Sequence, residues 1–228
     1  MTSALFVHGL WHGAGCWAAV RELLATAGVA SGAVELPLTS LADDVAVARA
    51  ALDELEGTVV LVGHSYGGAV VTAAGAHPSV RRLIYLAAFQ LAEGETVNSA
   101  VPERAFAPTR LGQALRFSAD GAWSTLDPTL GAELLYNDVP PAVAAAAVTA
   151  LRPANRAVFA GVPDTIGWRS VPSTYVVCAR DLTVAPDLQR AMAERATDVV
   201  EWPTGHSPML SRPALVADLV AAHARRVG

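Results

Sequence analysis

Short runs of consecutive apolar residues alternate along this chain with stretches in which apolar residues recur every three to four positions. The run ALFV (4–7) reads as a buried strand leading straight into HGLWHGAG, and 17–27 as a helix. GAVEL (32–36) is a second predicted strand, stopped by Pro37. Beyond Ser40, residues Leu41, Val45, Ala48, Leu52 and Leu55 share one helical face, with Ser40 placed as its cap. TVVLVG (58–63) is a continuous apolar strand of the type buried on both faces of a parallel sheet. Small, helix-compatible residues follow at 66–76, and RLIYLAAF (82–89) is another strand.

The rhythm breaks at 90–168, a proline-rich stretch with scattered aromatics, no clear strand and one predicted helix at 141–151. It resumes with STYVVC (173–178), a helix at 186–196, a short strand at 198–202 and a helix at 213–225, with Ser211 and Pro213 at its start. Strands alternating with helices predict an α/β fold whose central, mostly parallel sheet carries helices on both faces. Residues 1–89 and 169–228 form the expected core, and 90–168 a helical cap inserted between its strands.

Composition narrows the field. The 228 residues, 53% hydrophobic and 16% charged, suffice for one domain with a large core. A net charge of −5 with few basic residues offers no nucleic-acid surface. The alanine-rich run at 142–151 falls short of the roughly 20 residues a membrane helix needs. The start of the chain lacks the pattern of a secretory leader. Cys16 and Cys178 belong to no CxxC pair and read as free thiols of a reducing compartment. The expectation is a soluble cytoplasmic protein.

The candidate chemistry centres on GHSYG (63–67), where Ser65 stands between Gly63 and Gly67. A serine on a sharp strand-to-helix turn needs small residues two positions either side, the physical content of the G-x-S-x-G elbow. Its hydroxyl is a poor nucleophile without an adjacent base that is itself oriented by a third group. Asp181 follows one strand and His206 the last, in the order serine, acid, histidine; in a parallel sheet all three reach the carboxyl edge. Asp187 is the rival acid, but it falls in the first turn of a helix, where it complements the dipole. Oxyanion donors are expected from the backbone N–H groups of Tyr66 and Leu10, the latter on a loop made close-fitting by glycines 9, 13 and 15. His8 and His12 have no acidic partner nearby; they are expected to hold the loop backbone and not a metal. His77 and His223 read as surface residues.

FVHGLWHGAGCW, LVGHSYGG, YVVCARDLTVAPDLQRAMA and GHSPMLSRP together resemble the α/β-hydrolase superfamily. Within it they resemble the branch of plant methylesterases, hydroxynitrile lyases and bacterial esterase relatives. The resemblance runs from about residue 4 to 224, and LLYNDVPPAVAAAAVTALRP (134–153) is similar to bacterial members. It implies Ser65 as nucleophile, His206 as base, Asp181 as acid and Leu10 and Tyr66 as oxyanion donors, with no cofactor. Hydroxynitrile lyases of the branch carry threonine where Gly9 stands and lysine where Ser207 stands, so ester hydrolysis is expected here. Haloalkane dehalogenation needs an aspartate at Ser65. Trp11, Trp123, Tyr136, Phe159 and Trp168 are the expected pocket walls, suiting a small to medium hydrophobic ester. A non-hydrolytic enzyme on this scaffold (a cyclase, decarboxylase or lyase) and a ligand-binding protein with residual turnover are the alternatives. The fold often forms dimers, which makes a homodimer a candidate state.

Overall fold

The computed structural model describes residues 2–227. In chain order the first half runs β1 (Thr2–Val7), α1 (Ala18–Thr26), β2 (Ala30–Val34), α2 (Leu41–Asp53), β3 (Thr58–His64), α3 (Gly67–Ala74) and β4 (Val80–Leu86). Then come α4 (Leu111–Ala114), β5 (Leu115–Phe117), β6 (Trp123–Leu126), α5 (Pro128–Leu135), α6 (Pro141–Thr149) and β7 (Ala154–Asn155). The chain closes with β8 (Ser173–Cys178), α7 (Pro186–Ala193), β9 (Asp198–Trp202), α8 (Pro208–Ser211) and α9 (Pro213–Val227).

Six strands form one sheet in the order β2-β1-β3-β4-β8-β9, every pairing parallel. Alternation along the inner strands divides the core in two. Leu5, Val7, Leu61, Leu83, Tyr85, Tyr175 and Val177 face α2, α3 and α7. Phe6, Val60, Val62, Ile84 and Val176 face α1 and α9, where Trp17, Val20, Leu24, Val216 and Val220 meet them. Both faces of the middle strands are dry, which is why they read as unbroken apolar runs. The Ser40 hydroxyl caps α2 by accepting from the Asp43 N–H at 3.1 Å.

The strand expected at 32–36 lies at 30–34, because pairing with β1 and not local hydrophobicity sets its register. β4 stops at Leu86, where Ala87 turns to φ 48°. Between β4 and β8, where no strand was expected, β5, β6 and β7 make a small antiparallel sheet. It is tied to the core where Arg152 donates to the Trp11 carbonyl (2.7 Å) and Asn155 to that of Leu38 (2.8 Å). α5 was also unforeseen, although Asp127 caps it through the N–H groups of Thr129 and Leu130, with Pro128 in its first turn. His223 is not at the surface: it is 6% exposed and bonded to the Thr174 hydroxyl at 3.0 Å. No helix among the described residues is long and apolar enough to cross a membrane.

Backbone packs closely against backbone where α3 leaves β3. A Cβ added to Gly67 would lie 2.6 Å from the Val7 carbonyl oxygen and 2.7 Å from that of His8, and one on Gly63 2.6 Å from the Gly67 carbonyl oxygen. Backbone atoms cannot yield as a flexible side chain would. Gly67→Ala is therefore expected to lower the free energy of unfolding by roughly 2 kcal/mol or more. Urea denaturation of the variant checks this, and an unchanged midpoint would contradict the close packing.

Candidate active site

Parallel strands send their following loops to one edge, and four of those loops build the site. Ser65 follows β3 with φ 52°, the left-handed region that non-glycine residues occupy at a cost of about 1–3 kcal/mol. The strain persists because its neighbours leave no alternative: its N–H donates to the Leu86 carbonyl (3.2 Å), and its carbonyl accepts from Gly68 (2.9 Å) and Phe89 (3.0 Å). The residue is 8% exposed.

His206 follows β9 and is buried. Its Nδ1–H donates to Asp181 Oδ2 at 2.7 Å, leaving Nε2 as the nitrogen available for chemistry. Asp181, in the turn after β8, has every lone pair directed. Oδ1 accepts from the N–H groups of Thr183 (2.7 Å) and Val184 (3.0 Å), and Oδ2 also accepts from Gln189 Nε2 (2.8 Å). Gln189 in turn accepts from the Cys178 N–H through Oε1 (2.9 Å), locking α7 to the end of β8. Asp187, the rival acid, is exposed and paired with Arg190.

His64, the residue before Ser65, links that segment to the one carrying His206. The His64 ring lies 4.7 Å from that of His206, and its Nε2–H donates to the His206 carbonyl at 2.8 Å. Among the described residues the Ser65 hydroxyl makes no hydrogen bond, to His206 or elsewhere. Such contacts commonly tighten only once substrate is bound.

Two peptide planes beside Ser65 are set by their carbonyls. The Gly9 carbonyl accepts from His8 Nδ1–H at 2.9 Å, and the Leu36 N–H donates to His8 Nε2 at 3.0 Å. In a trans peptide the N–H opposes the C=O, so fixing the Gly9 carbonyl aims the Leu10 N–H the other way. The Ser65 carbonyl, held by Gly68 and Phe89, fixes the Tyr66 N–H likewise. Leu10 and Tyr66 are both buried, and among the described residues neither N–H has a partner. Gly9 lies against the serine: a Cβ there would sit 2.8 Å from Ser65 Cβ and 3.0 Å from His64 Nδ1. The Tyr66 side chain turns elsewhere, its hydroxyl donating to the buried Asp44 at 2.6 Å; burial raises that carboxyl's pKa to about 6.

The imidazoles around the site are held neutral. Burial, abetted by Arg152, lowers the pKa of His8 to about 4. Burial takes His12 to about 3, with His206 and His8 adding repulsion, and pushes His64 well below its ordinary value. His12 Nδ1–H donates to the Leu10 carbonyl (2.9 Å).

The aromatics expected to line a pocket divide. Tyr136 is buried, its hydroxyl 3.0 Å from His12 Nε2, and lines a cavity of about 320 Å³ between the 12–16 loop and the alanines of α6. Trp11 packs on Phe159 with ring centroids 6.3 Å apart and donates to the Ser124 hydroxyl. Trp123 is half-buried on β6 opposite Asn155. Gly167, the residue before Trp168, abuts Gly75 at the far end of α3, and the Trp168 indole donates to the Leu91 carbonyl at 2.8 Å.

Residues 4–219 match the model of the Alpha/beta hydrolase family, and the chain belongs to that family. It is 30% identical to Alpha/beta hydrolase nvfD of Aspergillus novofumigatus over 200 residues, covering 81% of this chain and 78% of that one. It is 28% identical to Esterase PIR7B of rice, Oryza sativa subsp. japonica, covering 95% and 93% of the two chains. The crystal structure of a pyrethroid hydrolase from Sphingobium faniae superposes with a TM-score of 0.82 at 22% identity, covering 99% and 98%. At that identity the likeness is one of fold.

The neutral histidines carry a stability cost at low pH. Between about pH 6.5 and 4 the unfolded chain binds protons at His8, His12 and His64 that the folded chain refuses, so stability falls as pH drops through this window. His223, lowered to about 4 chiefly by burial, adds a fourth such group, and Asp44, whose raised pKa favours folding at low pH, opposes the four with one. Urea midpoints are expected to be lower at pH 5 than at pH 7, the unfolding free energy falling by about 1.4 kcal/mol per pH unit for each net proton taken up. A midpoint that rises on acidification would contradict it.

Proposed function

We propose that this chain is a cofactor-independent carboxylic ester hydrolase that works through an acyl-enzyme on Ser65. What supports this most is the pair of partnerless N–H groups, Leu10 and Tyr66, held beside a strained serine whose neighbour contacts the His206–Asp181 pair. In this reading Ser65 Oγ attacks the ester carbonyl as His206 Nε2 takes its proton. Asp181 keeps the proton on Nδ1 and stabilises the imidazolium. The Leu10 and Tyr66 N–H groups receive the oxyanion, each contributing on the order of 3 kcal/mol. The alcohol departs with the proton from His206; water, deprotonated by the same nitrogen, then attacks the acyl carbonyl and releases the acid.

Gly9 favours hydrolysis over cyanohydrin cleavage, since a larger residue there would press on Ser65 Cβ. The proposed substrate class is a small to medium apolar ester; the apolar cavity beside Tyr136 meets the loop of Leu10 at His12 but is not lined by Ser65 or His206. The esterase name of the rice relative agrees in reaction class.

Ser65→Ala is expected to lower kcat/KM for p-nitrophenyl acetate by about 10⁴-fold or more while leaving the circular dichroism spectrum unchanged. Retention of wild-type turnover would overturn the assignment. Mass analysis showing acid and alcohol as the sole products separates hydrolysis from a non-hydrolytic reaction at the same serine.

A further inference from the structure

Three consecutive residues between α5 and α6 each reach a different loop of the site. The Tyr136 hydroxyl donates to His12 Nε2 at 3.0 Å, and His12 passes the contact to the Leu10 carbonyl. Asn137 Nδ2 donates to the carbonyl of Arg180 at 2.9 Å, one residue before Asp181. Asp138 Oδ2 accepts from the N–H of Gly205 at 2.8 Å, one residue before His206, and from the Ser211 hydroxyl at 3.1 Å. We propose that Tyr136, Asn137 and Asp138 form a three-point clasp that holds the oxyanion, acid and base loops in mutual register. They are positioning residues for the hydrolysis proposed above, and the clasp rests on that reading.

The local geometry suits this task. The Val139 N–H donates to the Tyr136 carbonyl at 3.0 Å, closing a turn from which the three side chains diverge. The turn is anchored on one side by the buried Leu134 and Leu135, and on the other by Pro140 and Pro141 at the start of α6. The acid loop is tethered to the same helix a second time, as the Thr183 hydroxyl donates to the Leu134 carbonyl at 3.0 Å. At Gly205 the fit is close: an added Cβ would collide with Asn137 Oδ1 and lie 2.7 Å from Asp138 Oδ1. Segments that only covered the site would meet it through apolar side chains. Here two of the three contacts go to main-chain atoms one residue from a catalytic side chain.

The test uses the full chain with p-nitrophenyl acetate and, separately, diisopropyl fluorophosphate, whose reaction with Ser65 reports its activation. Asp138→Ala is expected to lower kcat by about 10- to 100-fold, the scale of a 1 Å misplacement, with KM changed less than about twofold. Phosphorylation of Ser65, with loss of fluoride, should slow by the same factor. Asp138→Asn, whose amide oxygen can still accept from Gly205, should restore most of the rate. Asn137→Asp keeps the size but turns an oxygen toward the Arg180 carbonyl, so it should lose kcat with no such rescue. It carries the test should Asp138→Ala fail to fold. A raised KM at unchanged kcat in either variant, or phosphorylation of the folded variants by diisopropyl fluorophosphate at the wild-type rate, would overturn the clasp. That outcome leaves ester hydrolysis standing, whereas turnover by Ser65→Ala would remove the hydrolase reading itself.

Discussion

The approach of α3 to the ends of β1 and β3 governs the rest of the molecule. The helix begins against the Val7 and His8 carbonyls, at a distance only glycine permits, and of the two residues left to connect strand to helix, Ser65 and Tyr66, the first is in a left-handed conformation. Packing on both sheet faces supplies the energy that holds that strain. The buried middle strands are not only a scaffold; they keep a hydroxyl in a conformation the residue alone would abandon.

A second layer of control is exerted through carbonyl groups. His8 and the start of α3 each seize one carbonyl oxygen beside Ser65, and the planarity of the peptide bond converts that grip into a direction for the N–H on the other side. This works only if His8 and His12 keep one protonated and one bare nitrogen, because each donates with one and accepts with the other. Burial supplies that by making the imidazolium costly. The two histidines of HGLWHG are thus part of the internal skeleton of the loop after β1.

Much of this could be read before the fold was known, where the cause is local. Ser65 announces itself by glycines at fixed spacing, and Asp181 and His206 by following apolar strands. The features that escaped are decided by distant partners. The strands at Trp123 and Asn155 are too short to carry a period and exist because each pairs with the other. Gln189 looks like any polar residue on an amphipathic helix until α7 docks and turns it onto Asp181. His223 resembles an exposed basic residue near a terminus, and only the approach of α9 to β8 shows that it is enclosed beside Thr174. Trp168 shares its aromatic character with Tyr136, whose hydroxyl meets His12, and composition alone does not tell their surroundings apart.

β4 and β8 are hydrogen-bonded neighbours although more than a third of the chain lies between them. The sheet therefore closes beneath that long excursion and imposes nothing on its length or content. A change of length within the excursion need not disturb the pairing below, so long as its polar contacts to the loops beneath are kept.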